Sequence, residues 1–340
     1  MRVMIGMSGG VDSSVAALLL KEKGAEVLGV TLLLTEGGEE NAKEARRVAD
    51  ALGIAHVTAD MRRAFQNEVT DYFVREYQNG RTPNPCVACN RTIKFGKMLE
   101  FAEQNGCDYL ATGHYAKVEQ NPKTGLFMLK KAAYLEKDQT YFLYTLTQPQ
   151  LSRVLMPLGG YTKPQVRALA EQAGLVNAQK KESQDICFIP DGDKNRYLKQ
   201  FLPDCPGNFV DTDGNVLGVH QGIFHYTVGQ RKGLGMAFGK PMFVLSVNAQ
   251  NNTIVLGEAG SEFSSGFYLE NCNFLPYETP PDELLCCCKV RYSAREVSCR
   301  LKKTDEGYLA YLNEPARAIT PGQAAVFYIG DEVIGGGTIV

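Results

Sequence analysis

Apolar and amphipathic segments alternate regularly over the first third of the chain. Short apolar runs predict strands, and stretches with apolar residues every three to four positions predict helices. The predicted strands are Arg2–Gly6, Ala25–Leu34, Ile54–Ala59 and Tyr109–Thr112, and the predicted helices are Ser13–Lys23, Asn41–Leu52, Arg62–Gln78 and Phe95–Gln104. This alternation predicts an α/β domain with a doubly wound parallel sheet, whose ligand site lies beyond the carboxyl ends of the strands.

The pattern loosens after about residue 115 and changes again after Asp191. A hairpin is predicted around Asn121–Gly125 and a further helix at Pro164–Ala173. Beyond Asp191, short β-type runs are separated by Gly, Pro, Asn and Asp. The β-type runs include Pro241–Val247, Thr253–Leu256 and Ala324–Ile329. We therefore expect a catalytic α/β domain over residues 1–192, a small central linking domain over 193–264 and a C-terminal β-barrel over 265–340.

Composition restricts the class of protein. The chain has 340 residues, 44% of them apolar and 22% charged, which is typical of a globular protein too long for one small core. It has no apolar run of the roughly 18 to 20 residues that span a bilayer, and its N-terminus lacks the apolar region of a signal peptide. We expect a cytosolic protein without a membrane partner. The net charge of −2 means that a nucleic-acid partner would need local basic patches.

The segment between the first predicted strand and the first helix carries candidate nucleotide chemistry. It reads Gly6-Met7-Ser8-Gly9-Gly10-Val11-Asp12-Ser13-Ser14. Glycines let a backbone approach an anion, and the N-terminus of the following helix attracts phosphate. Asp12 fits a Mg²⁺ ion that bridges to the phosphates. The alternative is a glycine-rich turn that only caps the helix.

This segment does not end in Gly-Lys-Ser/Thr, so it is not the Walker loop. It resembles instead the pyrophosphatase loop of the N-type ATP pyrophosphatases. Those enzymes cleave ATP between the α- and β-phosphates and adenylate an oxygen.

Ten cysteines in a cytosolic chain do not predict a disulfide framework, and we interpret most of them as small buried residues. Three of them are candidates for chemistry. Cys86 and Cys89 lie in a turn-rich loop before a helix expected to start near Ile93, and Cys187 follows about a hundred residues later. A helix N-terminus lowers the pKa of a nearby thiol, and Arg91, Lys94 and Lys97 add positive charge. Spacing alone leaves a redox pair, half of a metal site or chance as explanations.

Short sequence motifs along nearly the whole chain resemble, in the same order, the motifs of the bacterial tRNA-uridine 2-sulfurtransferases, or 2-thiouridylases. They are Gly6–Ser14, Gly80–Pro85 with Cys89-Asn90, Ala111–Tyr115, Lys137–Leu143, Ser183–Phe188, His220–Gly222, Gly229–Gly235 and Thr320–Tyr328. The resemblance implies ATP-dependent 2-thiolation of the wobble uridine of tRNA. It also implies an upstream persulfide donor or relay protein as sulfur source, and we expect a monomer.

The resemblance also assigns roles to residues. The implied catalytic residues are Asp12, Cys187 as the persulfide carrier, and Cys89 as nucleophile or resolving thiol, with a possible Cys89–Cys187 disulfide. The implied ATP-binding residues are Gly6, Met7, Ser8, Gly9, Gly10, Val11, Asp12, Ser13, Leu32 and Gly113. The implied tRNA-binding residues are Asn84, Pro85, Cys86, His114, Lys137, Asp138, Gln139, Arg291, Tyr292 and Gln323.

Cys86 departs from the family pattern, which has Asp at that position. The departure leaves a local acid–base role unassigned and creates a third thiol. Cys86, Cys89 and Cys187 could instead hold a [4Fe–4S] cluster with one open iron, since thiolates are the usual cluster ligands. Two other functions remain open: an adenylating synthetase that needs the loop but not Cys187, and an RNA-binding module in which the loop is structural.

The densest basic stretch lies near the C-terminus. It comprises Lys289–Arg295 and Arg300–Lys303, and Tyr292 adds a stacking face that suits RNA loops. Phosphate contacts there would make binding sensitive to salt. The alternative is a solvated strand face. Just before it, Cys286-Cys287-Cys288 cannot all ligate one ion, because adjacent residues of a strand point to opposite faces. We expect them to be divided between core and surface.

Overall fold

The computed structural model describes residues 1–180, 186–278 and 280–340. The chain divides into two compact units. The first comprises Met1–Val69, Cys86–Gln184 and Gly330–Ile334. The second comprises Thr70–Pro85, Asp185–Ile329 and Gly335–Val340.

Helices and strands alternate in the first half of the described chain, and strands dominate the second half. The strands are β1 Arg2–Gly6, β2 Glu26–Leu33, β3 Ala55–Asp60, β4 Tyr109–Ala111, β5 Ala116–Gln120, β6 Phe127–Lys131, β7 Val154–Leu155, β8 Gly207–Val210, β9 Val216–His220, β10 Met242–Asn248, β11 Thr253–Glu258, β12 Phe263–Phe274, β13 Glu283–Lys289, β14 Val297–Thr304, β15 Gly307–Arg317, β16 Ala324–Ile329 and β17 Glu332–Ile339. The α-helices are α1 Val11–Glu22, α2 Glu39–Leu52, α3 Arg62–Phe65, α4 Asp71–Gln78, α5 Pro85–Cys89, α6 Met98–Gln104, α7 Gln148–Leu151, α8 Lys163–Gln172 and α9 Lys194–Leu198.

The first unit is built on a parallel sheet in the order β3-β2-β1-β4-β7. The central strand β1 is apolar after Arg2, and its middle residues Val3, Met4 and Ile5 are fully buried. From β1 the chain builds the sheet towards β3 and then returns to add β4 on the other side. The carboxyl ends of β1 and β4 therefore flank the point where the strand order reverses, which is where such sheets bind ligands. The predicted doubly wound fold is confirmed.

A hairpin of β5 and β6 extends the first unit. The two strands are antiparallel, and Gly125 closes the turn by donating its N–H to the Asn121 carbonyl at 2.8 Å. The positive φ of Gly125, 74°, is one that glycine adopts without strain. The hairpin predicted around these residues is confirmed.

Two helical regions differ from the sequence prediction. The stretch predicted as one helix from Arg62 to Gln78 is α3, a π-helical turn at Gln66–Thr70, and α4. The helix expected to start near Ile93 begins earlier, at Pro85, and passes through a π-helical segment, Asn90–Lys97, into α6. Proline is favoured at the first helical position, where its missing N–H has no partner to lose. Cys86 and Cys89 therefore lie on a helix, and the predicted loop was wrong.

The second unit contains two β structures. A four-stranded sheet, in the order β10-β11-β8-β9, packs around a small core that includes Phe209, Val244 and Ile254. Strands β12-β15-β14-β13-β16-β17 form the other, and pairing of β12 with β17 closes it into a six-stranded barrel. The predicted C-terminal barrel is confirmed. Within the three described ranges, no helix is both long enough and apolar enough to cross a membrane.

Candidate active site

The loop between β1 and α1 is a bent segment at the carboxyl end of the central strand. Gly9 turns the chain with a φ of 72°, and Gly10 is the N-cap of α1. Gly10 has no side chain and cannot itself bond the first amide groups of the helix. The hydroxyls of Ser13 and Ser14 donate to the Gly10 carbonyl at 3.1 and 2.9 Å, which fixes the bend. The loop thus presents the positive end of a helix dipole at the reversal point of the sheet.

Gly113 brings the end of β4 against the start of α1. A Cβ placed on Gly113 would lie 2.9 Å from the Ser13 nitrogen and 3.0 Å from the Asp12 carbonyl carbon. Only glycine permits this approach without displacement of the backbone. Two predicted ATP-binding strings therefore meet in the first unit. Leu32, also predicted to bind ATP, is half-buried in β2 opposite Ala59.

Asp12 is held by two side chains that the sequence prediction missed. Lys163 donates its Nζ to both Asp12 carboxylate oxygens, at 2.7 and 2.9 Å, and the Tyr115 hydroxyl donates to Oδ1 at 2.8 Å. Lys163 is only 7% exposed. It occupies the first position of α8, where a positive charge opposes the helix dipole. That unfavourable placement is the one sequence signal that could have identified Lys163.

Asn177 and Glu44 support the same loop. The Asn177 amide donates to the Gly9 carbonyl at 3.0 Å and to the Ser14 hydroxyl at 2.9 Å. Its Oδ1 is buried and has no hydrogen-bond partner within the described part of the chain. Glu44, paired with Lys180, lies against Gly9, where a Cβ would fall 3.0 Å from its Oε2. Neither residue has a local sequence motif.

The predicted tRNA contacts Asp138 and Gln139 make internal hydrogen bonds. The buried Asp138 carboxylate accepts from the Ala132 amide at 2.9 Å and the Thr140 hydroxyl at 2.5 Å. The backbone N–H of Tyr115 donates to the side-chain oxygen of Gln139, and the backbone N–H of Gln139 donates to the Tyr115 carbonyl, each at 2.9 Å. Because the Tyr115 hydroxyl reaches Asp12, this string supports the nucleotide loop from behind. Lys137, its first residue, is half-buried.

His114 is buried and bonded within the first unit. Its Nδ1 lies 2.8 Å from the Thr112 hydroxyl, and its ring lies 5.7 Å from that of Phe95. Burial lowers the pKa of His114 well below its usual value of 6.5, and the charge of Lys94 lowers it further. The imidazole is therefore neutral at physiological pH and is not a cation for RNA phosphates.

The candidate sulfur-handling thiols differ in environment. Cys86 is exposed and Cys89 is buried, one helical turn apart in the first unit. Although the Cys86 side chain reaches solvent, the surrounding protein raises the pKa of its thiol, and Lys94 counteracts this only in part. The lowered pKa predicted from the sequence was wrong for Cys86. Cys187 is exposed and belongs to the second unit, and Ser183-Gln184-Asp185 before it lie outside the described residues.

An aromatic cluster anchors the chain beside Cys187. The Phe188 ring packs edge-on against Phe73 at 5.3 Å between centroids and lies 5.2 Å from Tyr197. Phe188 and Ile189 are buried. The exposed thiol is thus attached directly to a fixed hydrophobic anchor within the second unit.

The side chains that are present determine which metal ions the protein could bind. Among the described residues, no three His, Cys, Asp or Glu side chains form a group that could hold a metal ion. The Asp12 carboxylate and the orphaned Asn177 Oδ1 are oxygen donors of the kind that suits Mg²⁺.

Two further predicted strings meet in the second unit. Gln323 donates its side-chain amide to the carbonyls of Thr82 and Pro83, at 2.8 and 3.2 Å. The Thr82 amide in turn donates to the Pro321 carbonyl at 2.8 Å. The half-buried Asn84 and the buried Pro85 follow directly. Gln323 therefore holds in place the segment that carries Asn84 and Pro85, two predicted RNA contacts.

Arg291 ties the loop between β13 and β14 to its surroundings. Its Nη2 donates to the carbonyls of Val228 and Ala318, at 3.0 and 2.7 Å, and to the Thr320 hydroxyl at 2.5 Å. The neighbouring Tyr292 is exposed. The loop thus combines a structural arginine with an accessible aromatic ring.

Comparisons with known proteins cover nearly the whole chain. Three family models match in succession: the tRNA methyl transferase HUP domain at residues 1–191, the tRNA methyl transferase PRC-barrel domain at 195–258, and the aminomethyltransferase beta-barrel domain at 264–339. The tRNA-specific 2-thiouridylase MnmA of Carboxydothermus hydrogenoformans is 48% identical, over 99% of this chain and 97% of that protein. Its counterpart in Lachnoclostridium phytofermentans is also 48% identical, over 100% and 99%. A solved 4-thiouridine synthetase–RNA complex with bound ATP is 18% identical, covers 58% of this chain and 50% of that chain, and has a TM-score of 0.36.

Proposed function

Because the chain belongs to the tRNA-specific 2-thiouridylase family, we propose that it replaces the 2-oxygen of the wobble uridine of tRNA with sulfur at the expense of ATP. The observation that carries the proposal is the contact of Gly113 with Ser13, which places the start of α1 at the reversal point of the sheet. We propose a cytoplasmic monomer with a catalytic part over 1–192, a linking part over 193–264 and a tRNA-binding barrel over 265–340.

ATP binds, in this proposal, along Gly6–Ser13, with Leu32 and Gly113 lining the adenosine. The amide groups at the start of α1 and the hydroxyls of Ser8 and Ser13 bond the phosphates. Asp12 and Asn177 would hold Mg²⁺, which supplies positive charge to the phosphates. Lys163, already at the Asp12 carboxylate, adds a second positive charge that stabilises departing pyrophosphate.

The chemistry divides into activation and sulfur transfer. The uridine 2-oxygen attacks the α-phosphate of ATP, and pyrophosphate leaves, so that the poor oxygen leaving group becomes AMP. The terminal sulfur of a Cys187 persulfide then attacks C2, and AMP leaves. Cys89 attacks the remaining Cys187 sulfur, which releases 2-thiouridine and leaves a Cys89–Cys187 disulfide for a thiol reductant.

A [4Fe–4S] cluster held by Cys86, Cys89 and Cys187 is the alternative sulfur carrier. Iron and sulfide are measured on protein purified without oxygen. Colourless, iron-free protein that still thiolates tRNA eliminates the cluster.

The tRNA contacts are proposed to come from accessible members of the predicted set. Cys86 and Tyr292 are exposed, and Asn84 and Lys137 are half-buried. The exposed Lys302 and Lys303 of β14 add phosphate contacts. The remaining members are buried or internally bonded, and we propose that they hold their own segments in place for binding: Pro85, His114, Asp138, Gln139, Arg291 and Gln323.

The proposal is tested by mass spectrometry of nucleosides from unmodified tRNA after incubation with ATP, a sulfur source and the protein. We expect 2-thiouridine with the wild type and none with Cys187→Ser, while tRNA-dependent release of pyrophosphate persists in the variant. Thiolation by Cys187→Ser would refute the persulfide route. Absence of pyrophosphate release with the wild type would favour an RNA-binding module.

A further inference from the structure

Two cysteines face each other across the barrel hairpin formed by β13 and β14. Cys286 and Cys299 are directly opposite in the antiparallel register, and their sulfur atoms lie 3.5 Å apart. The intervening Cys287 points to the other face, where its sulfur lies 3.9 Å from the Ser298 hydroxyl. This confirms the expectation that the three consecutive cysteines divide between the two faces.

The backbone geometry of the pair suits a disulfide. Directly opposed residues in an antiparallel sheet have Cα atoms about 4.5 to 5.5 Å apart, and disulfides span about 4.4 to 6.8 Å. Shortening the present sulfur–sulfur distance to a bond of about 2.05 Å needs a small side-chain rotation and no change of register.

Cys288 is the competing partner, because its thiol also hydrogen-bonds Cys299, but the register disfavours it. Cys288 lies opposite Val297, so that Cys299 is its diagonal neighbour. Diagonal neighbours have Cα atoms about 7 to 8 Å apart, beyond the span of a disulfide. The register therefore favours Cys286 over Cys288 as the partner of Cys299.

The environment of the pair admits small reagents and favours a thiolate. Cys286 is half-buried, whereas Cys299 is only 3% exposed. Hydrogen bonds from the Cys286 and Cys288 thiols lower the pKa of Cys299 below its ordinary value. A lowered thiol pKa increases the fraction of the nucleophilic form.

We propose that Cys286 and Cys299 form an oxidisable dithiol site, which a small two-electron oxidant such as hydrogen peroxide converts into a cross-strand disulfide. One thiolate attacks the peroxide and becomes a sulfenic acid, with release of hydroxide. The other thiol attacks that sulfur, and its proton leaves with the sulfenic oxygen as water, while the proton that the first thiol lost on ionisation neutralises the hydroxide. Two thiols and one peroxide thus give one disulfide and two waters.

The bond would cross-link the hairpin near its loop, residues 290–296, which carries Arg291 and Tyr292. The other side of this loop is already fixed, because Arg291 is bonded to Ala318 and Thr320. Oxidation would therefore restrict the motion of the loop that carries the exposed ring of Tyr292. This proposal does not depend on the proposed function, because its test measures the oxidation of the two thiols and not the thiolation of tRNA.

The test uses the full-length reduced protein, treated with hydrogen peroxide, blocked with N-ethylmaleimide and digested with trypsin. Cleavage after Arg295 and Arg300 releases Glu296–Arg300, in which Cys299 is the one cysteine. We expect this peptide to be linked to the peptide that contains Cys286, and dithiothreitol to separate them. Mapping the linked peptide is needed because the exposed Cys187 also meets the oxidant.

Substitutions identify the partner. Cys286→Ser should abolish the linked peptide, whereas Cys287→Ser, in the same strand but on the other face, should retain it. Recovery of Glu296–Arg300 fully alkylated from oxidised wild-type protein would overturn the proposal, and that result needs no variant to fold. Persistence of the link in Cys286→Ser would also overturn it, because another cysteine would then be the partner.

Discussion

Lys163 grips the carboxylate of Asp12 from the first turn of α8, with its Nζ 2.7 Å from Oδ1 and 2.9 Å from Oδ2. The Lys163 side chain is nearly fully buried, whereas the Asp12 side chain is 33% exposed. The pair leaves the start of α1 without the net negative charge that Asp12 alone would give it. Since phosphates are themselves negative, this neutralisation favours their binding.

Replacement of Lys163 by alanine should weaken ATP binding. The variant leaves Asp12 uncompensated beside the proposed phosphate site, and loss of a hydrogen bond to a charged group costs about 1.5 to 3 kcal/mol. We expect the dissociation constant for ATP, measured by calorimetry, to rise by about tenfold or more. Lys23→Ala, at the exposed far end of α1, is the control and should bind ATP normally. Equal affinities in the two variants would contradict the role given to Lys163.

Replacement of Gly113 by alanine should separate β4 from α1. The new methyl group would lie 2.9 Å from the Ser13 nitrogen, so the backbone has to move. Overpacking of this kind costs about 1 to 3 kcal/mol. We expect a lower free energy of unfolding in denaturant and weaker ATP binding. Gly160→Ala is the matched control, because a Cβ there meets no atom of the described chain within 4 Å.

The burial of His114 predicts a pH dependence of stability. Burial lowers the pKa of the folded state, so at pH values below about 6.5 the unfolded chain binds a proton that the folded chain does not. The free energy of unfolding should therefore fall as the pH is lowered from about 6.5. His56 and His220, whose pKa values burial also lowers, act in the same direction.

The measurement is denaturant unfolding between pH 7 and pH 5. The variant His114→Gln should lose part of the pH dependence, while His56 and His220 preserve the remainder. A pH profile of unfolding identical to that of the wild type would show that His114 is protonated in the folded protein.

Sequence patterns predict those parts of the site whose conformation depends on residues close to one another in the chain. The positions of β1 and α1 follow from one apolar run and a glycine-rich start, and Ala324–Ile329 was predicted with the bounds that β16 has. Lys163 and Asn177 escaped prediction because their partners lie 151 and 168 residues away in sequence. Lys163 and Asn177 reach the loop only in the folded chain, in which α8 and the residues that follow it lie next to α1.

The same reason explains why the internal hydrogen bonds of two predicted tRNA contacts were not foreseen. Asp138 and Arg291 are polar residues in strings that resemble RNA-binding ones, and the sequence does not reveal that carbonyls, amides and hydroxyls of distant segments satisfy them. The π-helical continuation of α5 was missed because Pro83, Asn84 and Pro85 suggested a turn. Pro85 in fact starts the helix.

Phe188→Ala should separate sulfur transfer from activation. The ring fixes the chain next to Cys187 by packing on Phe73 and Tyr197, and removal of a buried phenyl group costs about 3 to 5 kcal/mol. We expect the rate of 2-thiouridine formation to fall at least tenfold while tRNA-dependent pyrophosphate release is retained, because the nucleotide loop belongs to the other unit. Phe201→Ala is the control, since Phe201 contacts Tyr197 at 5.2 Å but is half exposed. Equal loss of both activities in Phe188→Ala would mean that the ring supports the fold as a whole rather than the placement of the thiol.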